Sequence, residues 1–263
     1  MLRPRIIPCL LIHERGLVKT RQFTDPTYVG DPVNAVRIFN EKEVDELLVV
    51  DIDATVHGRE PNYELIGQMA AECRMPLAYG GGITSVDQVE RIIRLGVEKV
   101  AIGSAAMSNP SLITEAAKKL GSQSVAIVAD VKGDGQGEYR VHTHSGTIKT
   151  DHTIKQAALL ADEAGAGELI VNNIERDGMG NGYDLHLVEH CRATTRLPIT
   201  VLGGAGRLDD IKELIHHFPI IGAAAGSLFV FKGKYRAVLI NYPDRARKDA
   251  LVVDARMAEQ VNE

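Results

Sequence analysis

The stretch DELLVVDID at 45–53, with MPLAYGGGITSVDQVERII at 75–93, decides the fold, because both return later in the same chain. GELIVNNIE at 167–175 and LPITVLGGAGRLDDIKELI at 197–215 lie over them at an offset of 122 residues. The overlay pairs Glu46 with Glu168, Ile52 with Ile174, Pro76 with Pro198 and Gly82 with Gly204. Each copy holds a short apolar run, a glycine-rich end and an amphipathic stretch. That pattern is a parallel strand followed by a helix.

Outward from this repeat the alternation continues. Strands are predicted near 6–12, 47–52, 76–80, 98–103, 124–130, 168–173, 198–203 and 219–225. Helices are predicted over 33–42, 62–73, 86–95, 110–120, 153–164, 184–193 and 208–217. Ser85 followed by acidic residues and Asn109-Pro110 mark helix entries. Eight strands, each nearly all apolar, predict an α/β chain closed as a single (β/α)8 TIM barrel of the phosphate-binding type. The repeat divides it into two fused half-barrels. No G-x-G-x-x-G follows the first strand, which argues against an open dinucleotide-binding sheet. The barrel is expected over 1–243 and a C-terminal tail over 244–263, because Pro243 bars a clean helix through FVFKGKYRAVLINYPDRARKDALVV. The β-rich run VLINY predicts an extended element there.

Composition narrows the function. The chain has 263 residues, the size of one such barrel, and 44% hydrophobic content, enough for a real core. A net charge of -5 argues against non-specific nucleic-acid binding. Cys9, Cys73 and Cys191 form neither a disulfide framework nor a zinc motif, and they suit a reducing compartment. The N-terminal apolar run is too short for a signal peptide, and no stretch is long enough to span a membrane. A cytoplasmic protein without metal or cofactor is expected.

Catalytic groups in such barrels sit at the carboxyl ends of the strands. Gly81 and Gly82 follow strand 3, Gly103 and Ser104 strand 4, Gly203 and Gly204 strand 7, and Gly226 and Ser227 strand 8. Glycine lets backbone N–H groups approach an anion closely. Two phosphate cradles result, one per half, facing each other across the mouth and fit for a ligand phosphorylated at both ends. Tight βα turns are the alternative reading of any single pair. Asp51, ending strand 2, is placed at the mouth in a supporting polar role. His13, His57, His142 and His144 also fall in loops near the mouth, with no spacing that makes a metal site.

The segments RIIPCLLI, GDPVNAVRIFNEKEVDELLVVDID, YGGGI, NPSLITEAAKKLGSQSV, GAGELIVNNIERDGMGNGYD and LGGAGRLDD resemble the cyclase subunit of imidazole glycerol phosphate synthase. The likeness covers about residues 1–230, and ERDGMGNGYD and GSQ are its most specific parts. The resemblance implies a glutaminase partner at the barrel bottom. Its ammonia would cross the core to a bisphosphorylated ribonucleotide at the top. It implies an ammonia gate of Arg5, Glu46, Lys99 and Glu168, all present; a plain salt-bridge plug is the alternative. It places Glu98, where the family has aspartate, and Gln123 at the glutaminase interface. Lys19 and Asp177 are retained on the substrate side.

The family's acid–base pair is two aspartates, ending strands 1 and 5. Asp130 is present and Leu11 stands in place of its partner. Gly103 replaces an asparagine, Asn172 a threonine and Leu202 a serine. A leucine moves no proton, so general acid–base catalysis worth about 10²–10⁴-fold is expected to be lost. His13 is a weak substitute base. The resemblance thus favours a paralogue that keeps ammonia channelling and serves acetamidino modification of a surface-polysaccharide sugar, beside a sugar amidotransferase. A true histidine-pathway cyclase and a phosphoribosyl isomerase are disfavoured by Leu11. A non-catalytic scaffold that regulates the glutaminase stays open.

Overall fold

The computed structural model describes residues 3–252. Eight parallel strands close on themselves: β1 (Arg5–His13), β2 (Leu47–Asp51), β3 (Leu77–Gly80), β4 (Lys99–Ile102), β5 (Val125–Gly133), β6 (Glu168–Asn173), β7 (Ile199–Leu202) and β8 (Gly222–Ala225). Each pairs with the next, β5 with β6 through Asp130↔Asn172 and β8 with β1 through Ala224↔Ile7. The expected TIM barrel is therefore present.

Strand side chains alternate between two cores. Inward-facing residues, among them Ile7, Cys9, Leu48, Ala78, Ala101, Ala126, Ile170 and Ala224, form one buried cluster. Outward-facing residues such as Leu10, Val49, Tyr79 and Ile127 pack with the helices in a second, larger one. The helices begin where local chemistry caps them. Ser85 accepts from Gln88 N while Gln88 Oε1 accepts from Ser85 N, a capping box opening Val86–Arg94. Thr153 and Gln156 repeat the device for Ile154–Glu163. Pro110 precedes Ser111–Leu120, as Asn109-Pro110 predicted.

Two hairpins went unforeseen. One, Gly16–Arg21 with Thr24–Gly30, extends from β1; the other, Tyr139–Thr143 with Ile148–Thr153, extends from β5. They occupy equivalent places in the two halves. At the 122-residue offset Gln22 and Phe23 fall on His144 and Ser145, and all four have left-handed φ of 51–65°.

The eighth helical position departs from the pattern. After β8 come a short helix, Ser227–Val230, and a two-residue strand pair, Phe231–Lys232 with Ala237–Val238. Tyr242 then packs on Phe229, accepts from Asp45 N and donates to Ile6 O at 2.8 Å. Residues 245–252 are helical, starting just after Pro243. Lys248 Nζ donates to Asp45 Oδ1 at 2.6 Å and Leu251 is buried. The rest of the expected tail, 253–263, lies outside the described residues. Among these residues no helix is long and apolar enough to cross a membrane.

Candidate functional site: a closed ring below and a roofed chamber above

At the bottom of the barrel the strand starts bring four charges together. Arg5 opens β1, Lys99 opens β4, Glu168 opens β6, and Glu46 precedes β2. Arg5 pairs with both Glu46 and Glu168, the latter at 2.7 Å. Lys99 also pairs with both, at 2.9 and 2.5 Å. The ring is closed and neutral. Burial works against the charge on Lys99, yet Glu168 and Glu46 outweigh it and hold its pKa above the usual value. Burial likewise opposes the charge on Glu168, and Lys99 and Arg5 outweigh it, so that its pKa is lowered. Thr200 adds a fifth member the sequence reading missed: its Oγ1 donates to Glu168 Oε1 at 2.5 Å. A Cβ on Gly222 would stand 1.9 Å from that hydroxyl, so glycine there makes room for it. The period-2 alternation puts Thr200 inward and was the available signal.

Under the ring lies an open hollow of about 770 Å³ bordered by Glu98, Gln123, Arg192, Arg196 and Ile220. Glu98 and Gln123 are exposed there, and Ile220 is 53% exposed.

Above the ring the core is apolar up to the mouth, where Leu11, Val50 and Val128 form its top. Leu11 and Asp130 line the same small chamber of about 130 Å³, with Lys19, Asp51, Asn172 and Asp177 around them. Lys19 Nζ donates to the Cys9 carbonyl, and burial lowers its pKa. Asp177 accepts from Thr20 Oγ1 at 2.8 Å, and burial raises its pKa. Asp51 Oδ1 accepts from Asp53 N and Ala54 N, both at 2.9 Å, which fixes the turn after β2. Asn172 Nδ2 donates to Asp130 Oδ1 at 3.0 Å. Part of Asp130 faces the chamber, but protein surrounds it, and burial pushes its pKa up to about 7 against the opposing Asn172 bond.

Because its folded pKa is raised, Asp130 favours folding below the usual carboxylate range. That contribution is lost as pH rises through about 7. Asp130→Asn removes the loss. The variant is expected to gain on the wild type between about pH 4 and pH 8. Urea midpoints at both values check this, and a pH-independent difference would refute it.

The two hairpin tips roof the chamber. Ser145 Oγ donates to the Ile52 carbonyl at 2.7 Å, and His144 N donates to Ser104 Oγ at 3.0 Å. A Cβ on Gly146 would stand 3.0 Å from Phe23 Cδ2, so the tips touch there. Beyond the roof a second, open cleft of about 750 Å³ runs past Gly81, Gly82, Gly103, Ser104 and His144.

The glycine pairs match between halves. Gly81 and Gly82 have φ of 116° and 71°, Gly203 and Gly204 of 92° and 113°. Gly103 and Gly226, each before a short helix starting at Ser104 or Ser227, have φ of -100° and -99°. A Cβ at Gly81 would lie 2.4 Å from Asp51 O, and one at Gly204 only 2.0 Å from Gly182 O. Gly204→Ala is expected to destabilise by roughly 1–3 kcal/mol, from left-handed strain plus the backbone clash. Chemical denaturation measures it, and an unchanged midpoint would show that the loop moves freely.

The mouth histidines do not gather into one cluster. His13 Nδ1 bonds Asp53 Oδ1 at 2.8 Å, outside the chamber wall. His142 Nδ1 lies 3.3 Å from Gly146 O within its own hairpin, and His57 is exposed. Among the described residues no group of His, Cys, Asp and Glu is arranged for a metal, and all three cysteines are free.

Known proteins are similar to this chain in sequence. The histidine biosynthesis protein family matches residues 5–236. A Leptospira borgpetersenii protein, provisionally named imidazole glycerol phosphate synthase subunit HisF, is 55% identical over 95% of this chain and 99% of its own. A Pseudomonas aeruginosa protein provisionally named as subunit hisF2 of that synthase is 49% identical, over 95% and 99%. The imidazole glycerol phosphate synthase subunit HisF of Lactiplantibacillus plantarum is 42% identical over 88% and 92%. The chain belongs to the histidine biosynthesis protein family, in its HisF branch.

Proposed function

We propose that this chain is the barrel subunit of a glutamine amidotransferase, taking ammonia from a glutaminase docked under the ring and passing it up the core. The reading rests on one contrast: the charged ring is complete while Leu11 faces the chamber that holds Asp130. The core between them is apolar, so a neutral molecule such as ammonia crosses it more readily than an ion. Arg5 is the most exposed ring member, at 31% of its side chain, and so the one free to swing into the hollow. Asp130 alone does not supply the acid–base pair for imidazole glycerol phosphate formation. The nitrogen is therefore assigned to another acceptor, the acetamidino group of a surface-polysaccharide sugar, with the chemistry completed on a sugar amidotransferase. The Gly81–Gly82, Gly103–Ser104, Gly203–Gly204 and Gly226–Ser227 backbone would hold phosphate groups of a ligand that signals to the glutaminase. The complex works in the cytoplasm.

The test is to mix the chain with the glutaminase encoded beside it and follow glutamate release. The expected result is glutaminase turnover well above that of the glutaminase alone. No stimulation would overturn the conduit reading.

A further inference from the structure

One seam of the barrel wall stops short of the bottom. The ladder between β1 and β2 starts only at Cys9↔Leu48, and Pro8 has no N–H with which to carry it lower. Arg5, Lys99 and Glu168 each stand within a ladder, opposite Gly222, Ala78 and Ala126. Glu46 does not, since the pairings of β2 start at Leu47 on one side and at Leu48 on the other. The ring therefore closes across the open end of this seam, through the Arg5–Glu46 pair.

Backbone groups left in the seam need partners. Arg5 N donates toward β8, to the Ile221 carbonyl, while the Ile12 carbonyl accepts from Ile52 N on the β2 side. Backbone groups alternate along a strand, so those of Ile6 turn toward β2, like those of Ile12. Side chains meet them there in place of a strand. Ile6 N donates to Asp45 Oδ2 at 2.9 Å. Tyr242 Oη donates to the Ile6 carbonyl at 2.8 Å and accepts from Asp45 N at 3.2 Å. Lys248 Nζ donates to the other Asp45 oxygen at 2.6 Å and to the Glu43 carbonyl at 3.3 Å. Tyr242 and Lys248 belong to the strap after β8, residues 239–252, whereas Ile6 and Asp45 are the chain neighbours of Arg5 and Glu46.

We propose that Tyr242 and Lys248 are positioning residues of the inlet: through Asp45 they clamp the bottom of the β1–β2 seam, and the ring opens between Arg5 and Glu46 when the strap is drawn away. This rests on the conduit reading above. The link is short, because a shift of Ile6 or Asp45 is carried by one peptide bond to Arg5 or Glu46. The strap also lies beside the docking face. Arg3 borders the hollow under the ring and pairs with Asp249 of the strap at 3.5 Å, so a glutaminase seated in the hollow meets the strap at Arg3.

The probe is phenylglyoxal, which modifies arginine guanidinium groups, applied to the full chain and read by peptide mass. Tyr242→Phe and Lys248→Ala are each expected to speed modification of Arg5 roughly 5–10-fold, the change in local opening that follows the loss of about one hydrogen bond. Arg176, held by the Gly182 and Tyr183 carbonyls at the other end of the barrel, is expected to react at its wild-type rate. Lys248→Arg keeps a donor for Asp45 and is expected to keep Arg5 slow. Should one variant fail to fold, the other carries the test. An unchanged Arg5 rate in a folded variant, or an equal rise at Arg176, would overturn the clamp. The labelling needs no glutaminase, so its failure leaves the conduit standing. Missing glutaminase stimulation by the wild type removes the conduit, while fast Arg5 modification in the variants still supports the clamp.

Discussion

Given glutaminase, glutamine and the bisphosphorylated ribonucleotide, the chain is expected to form imidazole glycerol phosphate about 10²–10⁴-fold more slowly than a cyclase with aspartate at position 11. The reason is local. Leu11 contributes only methyl and methylene groups to the chamber wall, packed with Val50 and Val128. Asp130 faces it with one carboxyl, so only one of the two required proton transfers has a donor or acceptor in place. His13 does not replace it, because its ring is bound to Asp53. Ammonium salt in place of glutamine gives the same expectation, since the deficit lies above the ring and not in ammonia supply. Product release followed by chromatography reads the rate directly. Turnover at an ordinary cyclase rate would overturn both this expectation and the assignment of a different acceptor.

Glu168→Ala is expected to destabilise the barrel by about 3 kcal/mol, the low end for breaking a buried ion pair, because Arg5 keeps some solvent. The substitution strips partners from Arg5, Lys99 and Thr200 at once. Lys99 is left buried with one acid where it had two. At 2–4 °C per kcal/mol the unfolding temperature should fall by roughly 6–12 °C. An exposed pair gives the comparison: Arg37 and Glu72 lie 2.9 Å apart in solvent, and Arg37→Ala should leave the unfolding temperature nearly unchanged. Equal losses for the two would mean the ring carries no more than a surface bridge. Glu168→Gln keeps the shape and the acceptor for Thr200, so a smaller loss than for alanine separates charge from packing.

The barrel strands were legible because each is short, apolar and flanked by a glycine or a capped helix, and both signals are local. β5 was read as ending at residue 130, but it runs on to Gly133, since beyond the barrel it pairs with its own hairpin. Those hairpins escaped notice for the same reason. LVKTR and YRVHT are polar on one side and lie above the barrel, where the all-apolar rule for buried strands no longer applies. The ring was named through the family resemblance, with charge type and strand position agreeing. Its closure could not be read this way, since each cation reaching both acids depends on distances across the barrel bottom, and neither could Thr200, which sits in the space that Gly222 leaves. The Asn172–Asp130 contact was equally hidden, being a cross-strand neighbour between β5 and β6 that only the register defines. The strap after β8 was half legible: Pro243 announced a break and VLINY an extended run, of which only Val238 falls in a strand, while Phe231–Lys232 has no side-chain pattern to mark it.

The origin of the ring is uneven between the halves. Arg5, Glu46 and Lys99 come from the first half, and Glu168 alone comes from the second. A doubled copy of the first half would face four cations with two anions and leave an excess positive charge in a buried ring. A complete neutral ring is therefore a property of the divergent, joined chain. The glycine turns above repeat in both halves, but the charged ring below does not, so its neutrality depends on the two halves having different sequences.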